Sequence, residues 1–313
     1  MTAYLVRRLL ATIPVMMVVA VVVFSLIHVA PGDPAAIIAG DNVTPKQVAE
    51  IRARLGLDEP LWRQFALWIT NLAQGDLGTS IFSQRPVTQL IAQRAEPTLA
   101  LTTTTLIVAI SIAITAGVLA AWKVGTWVDR SVMMFAVMGF SVPVFVVGYG
   151  LVYVFSMQLK WLPVQGYAPI ADGFVPFVRH LILPSVALGL AYVALIARIT
   201  RTSMLEVLAE DYIRTADAKG VATRPKLMRH ALKNAAVPIA TVIGIGVALL
   251  IGGVVITESV FNIPGIGRLT VDAILKRDYP IIQGIILVFS GVYVLINLAV
   301  DMLYTVLDPR IRY

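Results

Sequence analysis

Residues 9–29 of the chain read LLATIPVMMVVAVVVFSLIHV, a run without Asp, Glu, Lys or Arg. Crossing the hydrocarbon core of a bilayer takes about 20 apolar residues in a helix. Arg7 and Arg8 precede the run, as basic residues precede the apolar part of a signal peptide, but the run is longer than the about 7–15 apolar residues usual there. We therefore interpret residues 9–29 as a retained transmembrane anchor.

Five more segments of this kind follow along the chain. They span 98–120, 131–156, 181–197, 237–257 and 281–300. The chain of 313 residues is 58% hydrophobic and only 14% charged, against about 45–50% and about 25% in soluble domains, which excludes an ordinary soluble enzyme. The predicted fold class is an all-α integral membrane protein with six transmembrane helices.

The basic residues give these helices a direction. If the N-terminus lies inside, the inner segments hold 14 of the 25 Lys and Arg residues; they are 1–8, 121–130, 198–236 and 301–313. The longer outer segments hold 11 basic and 11 acidic residues, so the net charge of +7 lies inside. Because cytoplasmic segments are rich in Lys and Arg, both termini are predicted to be cytoplasmic. No run of five basic residues occurs, so we expect membrane lipid and no nucleic acid as a partner.

The chain divides into two predicted domains. Residues 1–97 contain the anchor helix 9–29 and a long extracytoplasmic segment. Residues 98–313 form a core domain with five transmembrane helices and the inner segment 198–236. The outer segment therefore offers a docking surface or an extracellular cap.

Two helices are predicted in that long outer segment. Thr44 and Pro45 are typical of a helix start, and Gly56 is typical of its end. An apolar stripe that includes Phe65 and Trp68 follows. The stripe either packs against neighbouring helices or lies in the layer of lipid headgroups.

Segment 198–236 is the most informative loop. Asp211 can cap a short helix that ends at Gly220, and Thr223 can cap a second one. Two short capped helices between membrane spans predict a compact knob that can transmit force. The alternative is a solvated basic loop that follows from the charge bias of the inner face.

The predicted spans carry no Asp, Glu, Lys or Arg in their central turns. Ion-coupled carriers usually hold an ionisable group at mid-membrane, so a carrier is disfavoured, although backbone carbonyls can bind Na⁺. Instead the spans carry small residues and helix breakers, which serve close helix packing or contact a substrate. The candidates for a translocation path or gate are Ser141, Pro143, Gly244, Gly252, Gly253 and Glu258.

Little in the chain favours catalysis. Cysteine is absent, which excludes a disulfide framework and a thiolate nucleophile, and no Gly-x-x-x-x-Gly-Lys-[Ser/Thr] phosphate loop occurs. His28 and His180 both fall near the outer face and could share a metal, but two unrelated interfacial histidines are favoured. We predict no catalytic residue and no metal site.

Short motifs occur in a fixed order along nearly the whole chain. They are YLVRRLL at 4–10, PGDP at 31–34, LGLD at 55–58, GDLG at 75–78, PTL at 97–99, SVP at 141–143, WLP at 161–163, PGIG at 264–267, RDYP at 277–280 and DPRIRY at 308–313. Together they resemble the permease subunits of ABC importers for dipeptides, oligopeptides and nickel. Each short motif alone has little specificity, whereas their ordered combination has much.

The inner segment carries the most specific part of this resemblance. Permeases of ABC importers share a Glu-Ala-Ala…Gly loop whose short helix docks on the ATPase subunit. Here Arg214-Thr215-Ala216 resembles the first three residues, and Gly220 the last, so the Glu is absent. Asp217 stands where the peptide branch often has a basic residue. The resemblance implies an ATPase-coupling loop of Asp211, Tyr212, Arg214, Thr215, Ala216, Asp217, Lys219 and Gly220.

The resemblance implies a type I ABC-importer permease fold in the bacterial inner membrane and half of a pathway for short peptides. Implied partners are a second homologous permease subunit, two ATP-binding subunits and an extracytoplasmic solute-binding protein. ATP and Mg²⁺ would lie on the ATP-binding subunits, so this chain would bind no cofactor and would not be an enzyme. Docking of the binding protein is implied at Asp33, Asp76, Pro264 and Gly265.

Three alternatives stay open at this point. In the first, the same architecture imports nickel, glutathione or another small solute. In the second, the chain is an ion-coupled carrier or channel. In the third, it is an integral membrane enzyme.

Overall fold

The computed structural model describes residues 2–29, 35–36, 44–54 and 57–307. These residues form helices joined by turns, with one isolated antiparallel bridge between Thr79 and Pro86. The helices are α1 (Thr2–Val29), α2 (Pro45–Arg54), α3 (Leu61–Ala73), α4 (Val87–Trp122), α5 (Trp127–Ser141), α6 (Val144–Leu151), α7 (Phe174–Leu208), α8 (Asp211–Ala218), α9 (Leu232–Val260), α10 (Ile266–Lys276) and α11 (Tyr279–Leu307). The all-α prediction is confirmed.

Four of the helices are each long and apolar enough to cross a membrane. They are α1, α4, α7 and α11. Two further spans each consist of a pair of helical segments bent at a short break; the pairs are Trp127–Ser141 with Val144–Gln158 and Thr223–Asn234 with Ala236–Val247. If each bent pair counts as one span, the described residues contain up to six spans. The predicted count of six is thus reached when each bent pair is one span.

The predicted third span, 131–156, is not one straight helix. Helix α5 ends at Ser141, α6 begins at Val144, and the two parts of the span are bent by 105°. Val142 between them is extended, with φ −95° and ψ 124°. The cause is Pro143, because proline disfavours the helical conformation of the residue before it and has no N–H to donate.

The described residues fall into two compact units. The first comprises Met1–Glu96 and Arg268–Val294, and the second comprises Pro97–Gly267 and Leu295–Tyr313. The division into domains 1–97 and 98–313 stays a prediction.

In the first unit, α3 packs on α1 through aromatic rings. The ring of Phe24 lies 5.2 Å from that of Phe65 and 5.7 Å from that of Trp68, centroid to centroid. The Nε2 atom of His28 lies 3.2 Å from the amide oxygen of Gln64. The apolar stripe of α3 therefore packs against a neighbouring helix, although Trp62 of the same helix is 73% exposed.

The predicted start of α2 is also confirmed. The helix begins at Pro45, and the Val48 N–H donates to the Thr44 carbonyl at 3.2 Å. Its predicted end at Gly56 lies outside the described residues.

Helix α7 forms the centre of the second unit. Its side chains Leu181, Leu188, Ile196 and Met204 are at most 2% exposed. Because lipid tails are as apolar as leucine, membrane helices associate through close packing and polar contacts more than through apolar burial alone. One such polar contact joins α4 to α7, where the hydroxyls of Thr104 and Ser185 lie 2.9 Å apart.

A buried ion pair joins α5 to α7. The Arg201 guanidinium donates from Nε to Asp129 Oδ1 at 2.5 Å and from Nη2 to Oδ2 at 2.8 Å. The Gly125 N–H donates to Oδ2 at 3.0 Å, and Asp129 is only 4% exposed. Bidentate pairs of this kind fix the geometry of both partners. The pair therefore fixes the start of α5 against α7.

We predict that Asp129→Asn lowers the free energy of unfolding by about 3 kcal/mol, because it leaves the Arg201 charge half-buried and uncompensated. Thermal unfolding of the purified chain in detergent measures this. Asp211→Asn is the matched control, since Asp211 pairs with Arg214 at 3.2 Å in full exposure and such pairs contribute little. Equal losses in the two variants would show that the buried pair has no special role.

Candidate functional site

The predicted coupling loop forms an exposed helix, α8, and a return segment; we call residues 209–231 the connector. Glu210 is extended and holds the N-cap position, so Asp211 is the first helical residue. The prediction that Asp211 caps this helix is therefore wrong by one residue. Thr223 likewise lies inside the next helical turn, because the extended residue before it is Ala222.

The end of α8 is as predicted. The Gly220 N–H donates to the Asp217 carbonyl at 2.9 Å, and the Val221 N–H donates to the Ala216 carbonyl at 3.1 Å. Gly220 has φ +74°, a conformation that residues with a Cβ seldom adopt. Glycine at this position therefore lets the chain turn back directly after α8.

Three contacts hold the connector together. Ile213 of α8 is 2% exposed and belongs to the hydrophobic core of the second unit. The Lys226 Nζ donates to Asp217 Oδ1 at 2.5 Å, which joins α8 to the return segment. The Asn234 amide donates to the Tyr212 hydroxyl at 2.9 Å, which joins α8 to α9. The connector is thus a rigid knob, and Asp217 has a basic partner within the chain.

The eight residues predicted to couple to an ATPase lie together on the connector. Seven of them are exposed, and Ala216 is half-buried; the exposed ones are Asp211, Tyr212, Arg214, Thr215, Asp217, Lys219 and Gly220. A Cβ at Gly220 would meet no heavy atom within 4 Å. The helix therefore offers a free surface of mixed charge.

Ser141 and Pro143 lie at the break between α5 and α6, and both are exposed. The last carbonyls and first N–H groups at a helix break lack partners within the helix. In a membrane, such groups are tolerated where they line a water-filled cavity or are buried in protein. We therefore expect a translocation path or an interface between subunits at this break.

The three candidate glycines of α9 have different surroundings. A Cβ at Gly244 would lie 3.1 Å from Val300 Cγ1, and one at Gly253 would lie 2.7 Å from Leu188 Cδ1. These two glycines therefore permit close helix packing. A Cβ at Gly252 would meet nothing within 4 Å, so Gly252 is the one of the three that faces open space.

The Glu258 carboxylate, at the end of α9, is fully buried with 0% exposure. The Thr98 hydroxyl donates to its Oε1 at 2.5 Å, and the same hydroxyl oxygen accepts the Ile266 N–H at 2.8 Å. A Cβ at Gly265 would overlap the carboxylate, and one at Gly267 would lie 2.6 Å from Val255 Cα. We call Thr98, Glu258, Gly265, Ile266 and Gly267 the carboxylate junction.

The junction brings together residues from two predicted classes. Glu258 was predicted as a path residue and Gly265 as a docking residue, and the structure places them in contact. Pro264, between α9 and α10, is exposed. In the sequence, Thr98 appears only as part of a short motif. Its position directly after Pro97 does not indicate that its partner is Glu258.

In the first unit, Asp76 organises a turn. Its Oδ1 accepts the Gly78 N–H at 2.8 Å. No role is predicted from sequence for Asp278, which is 2% exposed and accepts from the Ser80 hydroxyl at 2.6 Å and from the Ile81 N–H at 3.2 Å. The docking candidate Asp33 lies outside the described residues.

The described residues contain no group of three or more His, Asp or Glu side chains that could hold a metal ion. The Nδ1 atom of His180 lies 2.8 Å from the Pro176 carbonyl within its own helix. His28 and His180 belong to different units. The absence of a metal site stays a prediction for the whole chain.

Comparison with protein families gives two matches that together cover most of the chain. Residues 113–313 match the family described as binding-protein-dependent transport system inner membrane component. Residues 1–102 match the N-terminal family of the same membrane components.

Curated relatives match over the full length. A probable peptide ABC transporter permease protein of Sinorhizobium fredii is 56% identical over 313 residues, which is all of both chains. A glutathione transport system permease protein of Escherichia coli is 47% identical over the same length, again all of both chains.

Among solved structures, a chain of the inward-facing MetNI methionine ABC transporter is similar with a TM-score of 0.59 at 17% sequence identity. The match covers 71% of this chain and 97% of that one. A chain of an amino acid ABC transporter crystallised with histidines matches with a TM-score of 0.50 at 16% identity, covering 72% and 95% of the two chains. At these identities the likeness shows the fold.

We predict that Thr98→Val lowers the free energy of unfolding by about 2 kcal/mol, because it removes the donor to Glu258 and the acceptor of the Ile266 N–H while keeping the side-chain volume. Thermal unfolding in detergent measures the loss. Thr102→Val, one turn along α4, is the matched control, since the Thr102 hydroxyl only donates to the Thr98 carbonyl of its own helix. The junction would carry no stability if both variants unfolded at the same temperature.

Proposed function

The chain belongs to the family of binding-protein-dependent transport system inner membrane components, the permease subunits of ABC importers, and we propose that it carries short peptides as one half of a translocation pathway. It is a multi-pass protein of the bacterial inner membrane. As a membrane component of a transporter it is not itself an enzyme. This membership favours a transporter subunit over the ion-coupled carrier and over the membrane enzyme.

The exposed helix α8, fixed between two membrane helices, is the observation that carries the proposal. ATP is bound and hydrolysed with Mg²⁺ by two separate subunits, and this chain binds no cofactor. When those subunits close, they push on α8. Contacts of Ile213, Lys226 and Asn234 fix α8 to the rest of the second unit. The push therefore moves the attached helices rather than only the loop.

Helix α9 is the element that carries this motion across the membrane. It follows the connector directly and ends at the carboxylate junction. At a rise of about 1.5 Å per residue, its length suits a full crossing of the hydrocarbon core. Displacement of the connector therefore reaches Glu258 through α9, which is bent by 64° close to its start.

The proposed complex contains a second, homologous permease and an extracytoplasmic binding protein. The connector and both termini lie in the cytoplasm, in agreement with the excess of Lys and Arg in the inner segments. The binding protein docks on the outer segments, including Asp33, Asp76 and Pro264, whereas Gly265 is buried against Glu258 and is not available for docking. The path between the two permeases runs along Ser141, Pro143, Gly252 and their neighbours.

Short peptides are the proposed substrate because of the substrates for which two relatives of the chain are named. One relative is named for peptides, and another is named for glutathione, which is itself a tripeptide. The feature that the two substrates share is an amide backbone with charged ends. Nickel or another small solute is the alternative substrate for the same architecture.

We predict that the double variant Arg214→Glu, Lys219→Glu reduces peptide uptake by about tenfold or more. Reversed charges on α8 repel the ATPase surface, and each 1.4 kcal/mol lost there weakens binding about tenfold. The measurements are uptake of a labelled tripeptide by cells with the complete transporter and co-purification of the ATPase with this chain.

The double variant Arg229→Glu, Lys233→Glu is the matched control. It changes the charge by the same amount on exposed residues outside α8, and it should leave uptake within about twofold of the parent. Membrane insertion of both variants is checked by immunoblot of the membrane fraction. Undiminished uptake with α8 reversed would contradict the coupling role.

We further predict that unlabelled peptides, including glutathione, compete with the labelled tripeptide, whereas Ni²⁺ and free amino acids do not. The physical reason is that a site built to hydrogen-bond the amide groups of a peptide rejects ligands that lack these groups. Uptake in the presence of an about hundredfold excess of each competitor measures this. Import of Ni²⁺ without import of peptide would overturn the substrate proposal and leave the coupling proposal intact.

A further inference from the structure

A groove lies in the second unit between the end of α4 and the connector. Its volume is about 390 Å³, within the range of about 300–1,000 Å³ found for small-molecule sites. Most of its lining is apolar, and three of the lining residues are polar, namely Thr115, Thr223 and Arg224. The lining residues are Ile114, Thr115, Val118, Leu119, Trp122, Thr223, Arg224, Leu227 and Met228.

The rim of the groove is basic. Arg224 forms part of the wall, and in the described part of the chain its guanidinium makes no ion pair. Lys123 lies next to the groove, with its Nζ 5.3 Å from the ring centroid of Trp122. The groove therefore combines an apolar interior with positive charge at its mouth.

Two tryptophans indicate the depth of the groove in the membrane. Trp122 at the end of α4 is 48% exposed, and Trp127 at the start of α5 is 76% exposed. Exposed tryptophans of membrane proteins concentrate at the level of the headgroups. The mouth of the groove thus lies at an interface, and in the orientation proposed above this is the cytoplasmic one.

We propose that the groove binds an anionic phospholipid of the cytoplasmic leaflet. One acyl chain lies along Ile114, Val118 and Leu227, and the phosphate pairs with Arg224. Basic pockets between membrane helices on the cytoplasmic side suit anionic headgroups, whereas a water-soluble anion would gain nothing from the apolar walls. The inference goes beyond the transport function and rests on its orientation alone.

The position of the groove gives the lipid a role. One wall is helix α4, and the other is the return segment of the connector, which lies between α8 and α9. A bound lipid therefore joins the part of the connector that moves to a helix that spans the membrane. The lipid composition of the inner leaflet would then tune how α8 transmits force.

Quenching of Trp122 fluorescence by brominated lipids tests the proposal. The full chain is reconstituted in nanodiscs of phosphatidylcholine, with a small fraction of dibrominated phosphatidylglycerol or, separately, dibrominated phosphatidylcholine. The Trp122→Phe variant isolates the signal of this tryptophan from the other four. We expect half-maximal quenching of Trp122 at an about fivefold lower fraction of the anionic lipid than of the neutral one.

Two variants separate a specific site from general attraction to the membrane. Arg224→Gln should remove the fivefold preference, whereas Arg229→Gln, an exposed residue that does not line the groove, should keep it. Equal quenching by both lipids, or equal loss of preference in both variants, would overturn the proposal. Trp122 that no lipid quenches would show that a protein surface covers the groove, and this outcome also overturns it.

The orientation is measured independently of lipid binding. The chain has no cysteine, so an Ala218→Cys variant gives a single reactive site on exposed helix α8. A membrane-impermeant maleimide should label it in inverted vesicles and not in intact spheroplasts. Labelling in spheroplasts would refute the proposed orientation of the transporter, whereas loss of the lipid preference with correct labelling would refute the lipid site alone.

Discussion

The structure of the second unit depends on one requirement, that a buried carboxylate must have hydrogen-bond partners. Glu258 is fully buried at the end of a membrane helix, where an uncompensated charge would cost several kcal/mol. The hydroxyl of Thr98 on α4 supplies one hydrogen bond, and Gly265 leaves the space that the carboxylate occupies. Because Thr98 also accepts the Ile266 N–H, α4 is joined at one point to the end of α9 and to the start of α10. The end of α9 is thus a fixed point within this unit.

The connector is the corresponding fixed point at the other end of α9. The contact between Asp217 and Lys226 joins α8 to the return segment, and Ile213 packs α8 into the hydrophobic core of the unit. A second ionic contact, between Asp129 and Arg201, joins α5 to α7 in the same unit. Polar contacts therefore join helices of this unit at defined points in addition to its apolar core, as expected where lipid competes equally for apolar surface.

The sequence predicted the apolar segments well and the ends of the helices poorly. Hydropathy marks only the part of a helix at membrane depth, so α4 and α7 extend beyond the predicted spans 98–120 and 181–197. Pro97 and Pro184 lie inside helices, whereas Pro143 ends one, and no property of a single proline distinguishes these cases. Pro14 and Pro238 also lie inside helices although both are exposed, so burial of the proline does not distinguish the cases either.

Only those parts of the site that depend on residues close together in the sequence could be predicted. The helix at Asp211 and its end at Gly220 follow from short-range turn chemistry, although the capping residues were each misplaced by one position. The pairing of Thr98 with Glu258 joins residues 160 positions apart, and one sequence contains no signal for such a contact. Charge alone does not supply it either, since Glu258 looks like an ordinary acid at the end of a span.

The 105° break at Pro143 has a consequence for a copy of the subunit that lacks its partners. Backbone groups at the break without a partner in the helix would then face lipid tails, which cannot hydrogen-bond to them. Such a copy would be less stable in the bilayer than one whose break is covered by protein or lines a water-filled path.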